Sequence, residues 1–107
     1  MDTISEAVMR LDLSLLPIAE TEAEGAFDWY EERELSLGSK FRSALKITTD
    51  KIENNPYMFP VVQGSKVRRA LIDDFPYIVV FSVENDSILV LSIFHTSRNP
   101  MIWRGRI

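Results

Sequence analysis

The chain reads as an α+β domain in the order β-α-α-β-β-β, with a helical hairpin packed on one face of a mainly antiparallel four-stranded sheet. Three observations predict it. First, residues 75–98 hold two runs of Ile, Val, Leu and Phe around the polar tetrad Glu84-Asn85-Asp86-Ser87. Strand length, β-branched composition and turn chemistry together make a β-hairpin. Second, Tyr77, Val79, Phe81 and Val83 share one parity of the first run, while Phe75, Ile78 and Val80 fall among the others. A strand apolar on both faces belongs in the middle of a sheet. Third, two stretches of helical periodicity, separated by a short break, precede this hairpin.

The elements follow in order. Residues 9–15 alternate, with Met9, Leu11, Leu13 and Leu15 against Arg10, Asp12 and Ser14, which predicts a half-buried strand. Residues 1–8 read as a loose extension. Pro17 suits the first position of a helix, where a missing amide proton costs nothing. Glu20, Glu22 and Glu24 then suit the positive end of its dipole. Ala19, Ala23, Ala26, Phe27 and Tyr30 form one apolar stripe, and Gly25 within it is expected to permit close packing. Residues 33–38 are the break. Leu37, Phe41, Ala44, Leu45, Thr48 and Ile52 mark the buried face of a second helix, which Asn54-Asn55-Pro56 stops. Residues 56–65 carry two prolines and a glycine and read as a loop, with Tyr57, Met58 and Phe59 covering one end of the core. Residues 66–72 resume strand composition before Asp73-Asp74. The tail, residues 99–107, keeps Trp103 and is expected to form one turn or to lie across the surface.

Length and composition set limits. A chain of 107 residues supports a single domain with one core. It contains no cysteine, which rules out disulfides and thiolate metal sites. No apolar run is long enough to span a membrane, and the acidic residues near Met1 differ from a secretory leader, so a cytoplasmic location is expected. The net charge of −4 is a poor footprint for nucleic acid, and direct sequence-specific DNA binding is not expected. Residues 1–53 hold 12 acids and 6 bases, whereas residues 54–107 hold 4 acids and 6 bases. An anionic partner would therefore meet the sheet side rather than the helices.

Four phrases carry a resemblance: AFDWYEER (Ala26 to Arg33), IENNPYMFPVV (Ile52 to Val62), VRRALIDDFPYIVVF (Val67 to Phe81) and FHTSRNPMIWRGR (Phe94 to Arg106). In this order the chain resembles the RelE/ParE superfamily of type II toxin–antitoxin toxins, and its ParE-like branch in particular. The resemblance implies a growth-inhibiting toxin that a cognate antitoxin neutralises, with no cofactor. ParE-like members bind DNA gyrase without chemistry of their own. RelE-like members cleave mRNA on the ribosome. A toxin homologue that only binds antitoxin is a third reading.

The candidate residues divide by role. Metal-free RNA cleavage needs proton transfer and cations on the phosphorane; His95 is the candidate for the first, Arg68, Arg69 and Arg98 for the second, with Tyr77 as a weak acid. Regular strand parity places His95 with Leu89, Leu91 and Ile93, and a structural histidine bonded to backbone is the alternative. The chain has no lysine after Lys66 and no tyrosine after Tyr77, which favours the ParE-like reading. One histidine without cysteine leaves too few good ligands for zinc, acids near it are scarce, and no metal is expected. For binding a target or an antitoxin the candidates are Arg68, Arg69, Arg98, Trp103, Arg104, Arg106 and Trp29. Arg68 and Arg69 face opposite sides of their strand, one of them toward an ion pair. Arg98, Arg104 and Arg106 sit beyond the strand, free to reach a partner. Glu20, Glu24, Asp28, Glu31 and Glu32 form a solvent-facing acidic surface.

Overall fold

The computed structural model describes residues 11–106, so the expected extension and the first two residues of the expected leading strand, Met9 and Arg10, lie outside the described residues. In chain order come β1 (Asp12–Leu15), α1 (Pro17–Arg33), α2 (Leu37–Asn54), a 3₁₀ turn (Pro56–Met58), β2 (Val61–Gln63), β3 (Val67–Leu71), β4 (Tyr77–Glu84), β5 (Ser87–His95) and α3 (Met101–Arg104). The sheet order is β1-β5-β4-β3-β2. β1 runs parallel to β5, and the other pairs are antiparallel. The α+β class and the helical hairpin are as expected. The sheet has five strands rather than four, because Val61–Gln63 pairs irregularly with β3. Three residues between a proline and a glycine carry no readable alternation.

β4 and β5 are central strands covered on both faces. On one face Val79, Phe81, Val83, Ile88, Val90 and Ile93 pack with Ala19, Ala26, Phe41 and Ile52 of the helices. On the other, Ile78, Val80, Leu91 and Phe94 pack with Trp103 of α3. The hairpin turns at Asn85 and Asp86, with φ of 53° and 64°. Two consecutive left-handed residues match the right-handed twist of the flanking strands. Of the three apolar loop residues, only Phe59 covers the core, its ring 5.9 Å from that of Phe81. Tyr57 and Met58 are exposed.

The register of the central hairpin shifts once. Val80 faces Ser92 and Phe81 faces Val90, which leaves Leu91 as an extra residue in β5. Such a bulge reverses side-chain parity beyond it. Ile88, Val90, Ile93 and then His95 therefore share the helix-side face. His95 parts from Leu89 and Leu91, contrary to the expectation from a regular strand.

The break between the helices is shorter than expected, since α1 runs to Arg33 and α2 starts at Leu37. Ser36 has φ 75° and offers no side-chain cap. The Glu31 carboxylate caps α2 instead, accepting the backbone N–H of Ser36 and of Gly38 at 2.9 Å each. Glu31 is thus part of the helix–helix joint, not of the solvent-facing acidic surface. The glycine that permits close packing is Gly38: a Cβ there would lie 2.6 Å from the Phe27 carbonyl oxygen, whereas one on Gly25 would meet nothing within 4 Å. A backbone oxygen cannot yield as a flexible side chain can. Gly38→Ala is expected to destabilise the fold by about 1–3 kcal/mol, and Gly25→Ala to stabilise it by up to about 1 kcal/mol. Urea denaturation of the two variants measures both, and equal effects would discount the close crossing.

Candidate functional site

A pocket of about 520 Å³ opens between the C-terminal half of α1 and the adjoining ends of β4 and β5, lined by Trp29, Tyr30, Tyr77, His95, Ser97 and Arg98 together with Gly25 and Pro76. Its floor is an aromatic cluster in which Tyr30 stacks on Phe41 at 5.6 Å and meets Phe75 edge-on at 5.0 Å. Tyr77 lies 5.2 Å from Phe41 and 5.0 Å from the His95 ring. Edge-to-face contacts of this kind fix ring orientations. A wider recess of about 640 Å³ lies between α2 and the turn at Asp73-Asp74-Phe75, and none of the expected site residues lines it.

The side chains of the pocket are set by the strand ends. The bulge at Leu91 brings His95 opposite Tyr77 on the helix side. His95 Nδ1 accepts the Ser97 backbone N–H at 3.1 Å and lies 2.8 Å from Ser97 Oγ. With Nδ1 an acceptor, the ring proton belongs on Nε2. Tyr77 ionises above its ordinary value of 10.0, chiefly because it is desolvated, with Tyr30 and Glu22 adding to the rise and the Arg98 guanidinium opposing it. Burial also raises Tyr30. Both phenols are therefore protonated at neutral pH.

The expected site residues do not form one group. Trp29, His95 and Arg98 meet at the pocket. Trp29 is half exposed, and the Arg33 guanidinium stacks 3.5 Å from the centre of its ring. Arg68 lies elsewhere. Its partner on β4 is Phe81, whereas that of His95 is Tyr77, four residues or roughly 13 Å away along the strand. Arg68 donates to the carbonyl oxygens of Phe59 at 2.6 Å and Tyr57 at 3.3 Å, so it braces the 3₁₀ turn instead of pairing with an acid. Arg69 stands opposite Val80 and turns to the face away from the helices, where it is exposed. Trp103 is 3% exposed and belongs to the core of the second face. Arg104 is exposed, its guanidinium 5.4 Å from the Trp103 ring centre.

Arg106 is the clearest departure from expectation. It is not a free tail cation: Nη1 and Nη2 donate to the two carboxylate oxygens of Glu22 at 3.0 Å each, and Nη1 also donates to the Leu91 carbonyl at 2.9 Å. Glu22 Oε1 further accepts Ser92 Oγ–H at 2.9 Å and the Ile93 backbone N–H at 3.1 Å. The two side chains are 13% and 17% exposed. Glu22 was expected only to suit the positive end of the helix dipole, although its place between Ala19 and Ala26 at helical spacing set it within the apolar stripe. Ser97 and Tyr30 were likewise overlooked as pocket residues. For Ser97 the signal was its two-residue spacing from His95, a common length for a side-chain turn.

The pocket thus gathers one imidazole, one guanidinium and two protonated phenols. Among the described residues no cluster of three or more metal-ligating side chains occurs, and no helix is long and apolar enough to cross a membrane.

The helical hairpin on this mixed sheet is the α+β architecture that the resemblance to the RelE/ParE superfamily implies. Residues 13–100 match the family model described as "ParE toxin of type II toxin-antitoxin system, parDE". The chain belongs to the ParE toxin family. Among solved structures it is similar to a chain of the "Chromosomal ParDE TA system from P. aeruginosa", with TM-score 0.61 and 16% identity over 81% of this chain and 97% of that one. At that identity the likeness is one of fold. No curated protein matches in sequence.

Two outcomes are expected. Arg106→Met leaves the Glu22 carboxylate largely buried without its cation and should cost about 3 kcal/mol, much of it recovered in the Glu22→Met/Arg106→Met double variant. Additive losses in denaturant unfolding would show that the two residues act separately. Both shifted phenols also bear on alkaline stability. Their folded pKa values lie above the unfolded value of 10.0, so their contribution is complete below pH 10.0 and is lost as pH rises through the higher folded values. The melting temperature should begin to fall above that pH. Tyr77→Phe should lessen the fall, and an unchanged slope would discount Tyr77 as its source.

Proposed function

We propose that this ParE-family chain stops growth by binding DNA gyrase, without catalysis of its own, and that a cognate antitoxin neutralises it. The observation that carries the reading is the dispersal of the cations expected to serve RNA cleavage. Of Arg68, Arg69 and Arg98, Arg98 alone lines the pocket of His95. Arg68 is engaged with loop carbonyls and Arg69 lies on the face away from the helices. A phosphorane held by one guanidinium, beside phenols unsuited to act as bases at neutral pH, lacks much of the stabilisation that metal-free cleavage requires. Proximity of His95, Tyr77 and Arg98 favours the ribosomal nuclease reading to a lesser degree.

A surface for the antitoxin is supported at the outer edge of β3, where a recess is lined by Lys51, Met58, Arg69 and Leu71. Met58 and Leu71 are 58% and 64% exposed, and two cations flank them. An acid-bearing segment that folds on binding suits apolar surface of this kind. Arg104 offers a further exposed cation on the tail.

The test is supercoiling by purified gyrase with folded toxin at micromolar concentration. Inhibition is expected, retained in His95→Ala and relieved by antitoxin. Unimpaired supercoiling, together with message cut in a translating extract and spared by His95→Ala, would replace this reading with the nuclease.

A further inference from the structure

We propose that the pocket between α1 and the ends of β4 and β5 binds a small planar aromatic anion, a ring bearing a carboxylate or a phosphate, as a ligand additional to the protein partners of the toxin. Three properties carry this beyond a hydrophobic hollow. The walls are rings: Trp29, Tyr30, Tyr77 and His95 line a space of about 520 Å³, within the usual range for small-molecule sites. Tyr30 and Tyr77 are held by contacts with Phe41 and Phe75 beneath them, and Trp29 and His95 meet those two phenol rings edge-on, so the cavity exists before any ligand enters, which lowers the cost of binding.

The polar groups are donors, and they are unused. Among the described residues the Arg98 side chain makes no ion pair or side-chain hydrogen bond, and the Trp29 indole N–H and the two phenols have no hydrogen-bond partner. His95 Nε2 carries a proton because Nδ1 is taken by Ser97. The Tyr77 phenol, whose ionisation burial raises further above 10.0, is a donor as well. The nearest acid to Tyr77 by its influence, Glu22, is already bound by Arg106, Ser92 and the Ile93 amide. No carboxylate lines the cavity. A site made of a guanidinium and several donors, with no negatively charged group among its walls, selects an anion. The rings around it select a flat body.

Gly25 forms the rim. A side chain there would meet nothing within 4 Å, so glycine is not required for packing and its effect is to leave the mouth open. A bulky residue at this position would enter the pocket without displacing the core.

Fluorescence tests the inference directly, since the chain has two tryptophans, Trp29 at 50% exposure in the pocket and Trp103 at 3% in the core. The probes are indole-3-acetate and 5′-adenosine monophosphate, with tryptamine, adenosine and inorganic phosphate as controls. Saturable quenching by at least one ring anion is expected, absent in Trp29→Phe although calorimetry still detects its binding. Affinity should fall by about tenfold or more in Arg98→Gln and be lost in Gly25→Leu, with the thermal melts of both variants preserved. If Gly25→Leu melts early, protection of Arg98 from phenylglyoxal by the probes replaces it as the test. Absence of saturable binding by both ring anions at millimolar concentration overturns the proposal, as does equal affinity for the uncharged or cationic rings or for inorganic phosphate. Gyrase inhibition is not a readout here, so the two proposals can fail separately.

Discussion

The edge of β5 is the constraint on which the rest of the molecule depends. β1 pairs with it as far as Leu15 opposite Val90, and Leu16 N–H makes the last bond, to the Val90 carbonyl, before Pro17 turns the chain into α1. β5 continues to His95. The Leu91 carbonyl and the Ile93 amide are left without a neighbouring strand, in a region where water has little access. An unmet buried backbone group costs about 1–3 kcal/mol. Glu22 and Arg106 substitute for the absent strand, the carboxylate accepting from Ile93 and the guanidinium donating to Leu91. Because one partner lies on α1 and the other near the C-terminal end of the described chain, the same contacts fasten the tail. Trp103 is thereby held over Ile78, Val80, Leu91 and Phe94.

This repair of the edge and the geometry of the pocket share an origin. The extra residue at Leu91 shifts the register between β4 and β5. It presents Ser92 and Ile93 to Glu22, and it also moves His95 to the helix side. Without the bulge, the imidazole would lie on the face that α3 covers, away from Trp29 and Tyr30. Sheet irregularity thus places a titratable ring among aromatic ones, as bulges near functional sites often do.

Much of this was legible in the sequence, and the remainder was hidden for identifiable reasons. The hairpin of β4 and β5 and the two helices announce themselves because burial imposes a period on their residues. β2 has three residues and no period to read. Two glycines near helix contacts look alike in sequence, yet only Gly38 faces a neighbouring backbone. Strand parity separates Arg68 from Arg69, but the sides become known only through their partners Phe81 and Val80. Glu22 and Arg106 stand 84 residues apart, and no local pattern links them. The acid's position inside an apolar stripe was the single trace of its burial. Arg106, near the end of an irregular tail, left none.

These internal commitments alter how the charge of the molecule should be understood. The C-terminal half carries a surplus of bases, which on a smooth surface would form a basic face able to attract polyanions. Arg106 neutralises Glu22, Arg68 is directed at loop carbonyls, and Lys66 pairs with Glu84 at 3.1 Å. What remains is Arg69 on the outer face of β3, Arg98 at the pocket and Arg104 on the tail, three separate points instead of a patch. On α1, Glu20, Glu24, Asp28 and Glu32 are exposed and repel the same polyanions. Long-range attraction therefore contributes little to recognition by this molecule. Each remaining guanidinium is set beside apolar or aromatic surface, Arg69 beside Leu71, Arg98 beside Trp29 and Tyr77, and Arg104 beside Trp103, so the attraction around them is local and short-ranged.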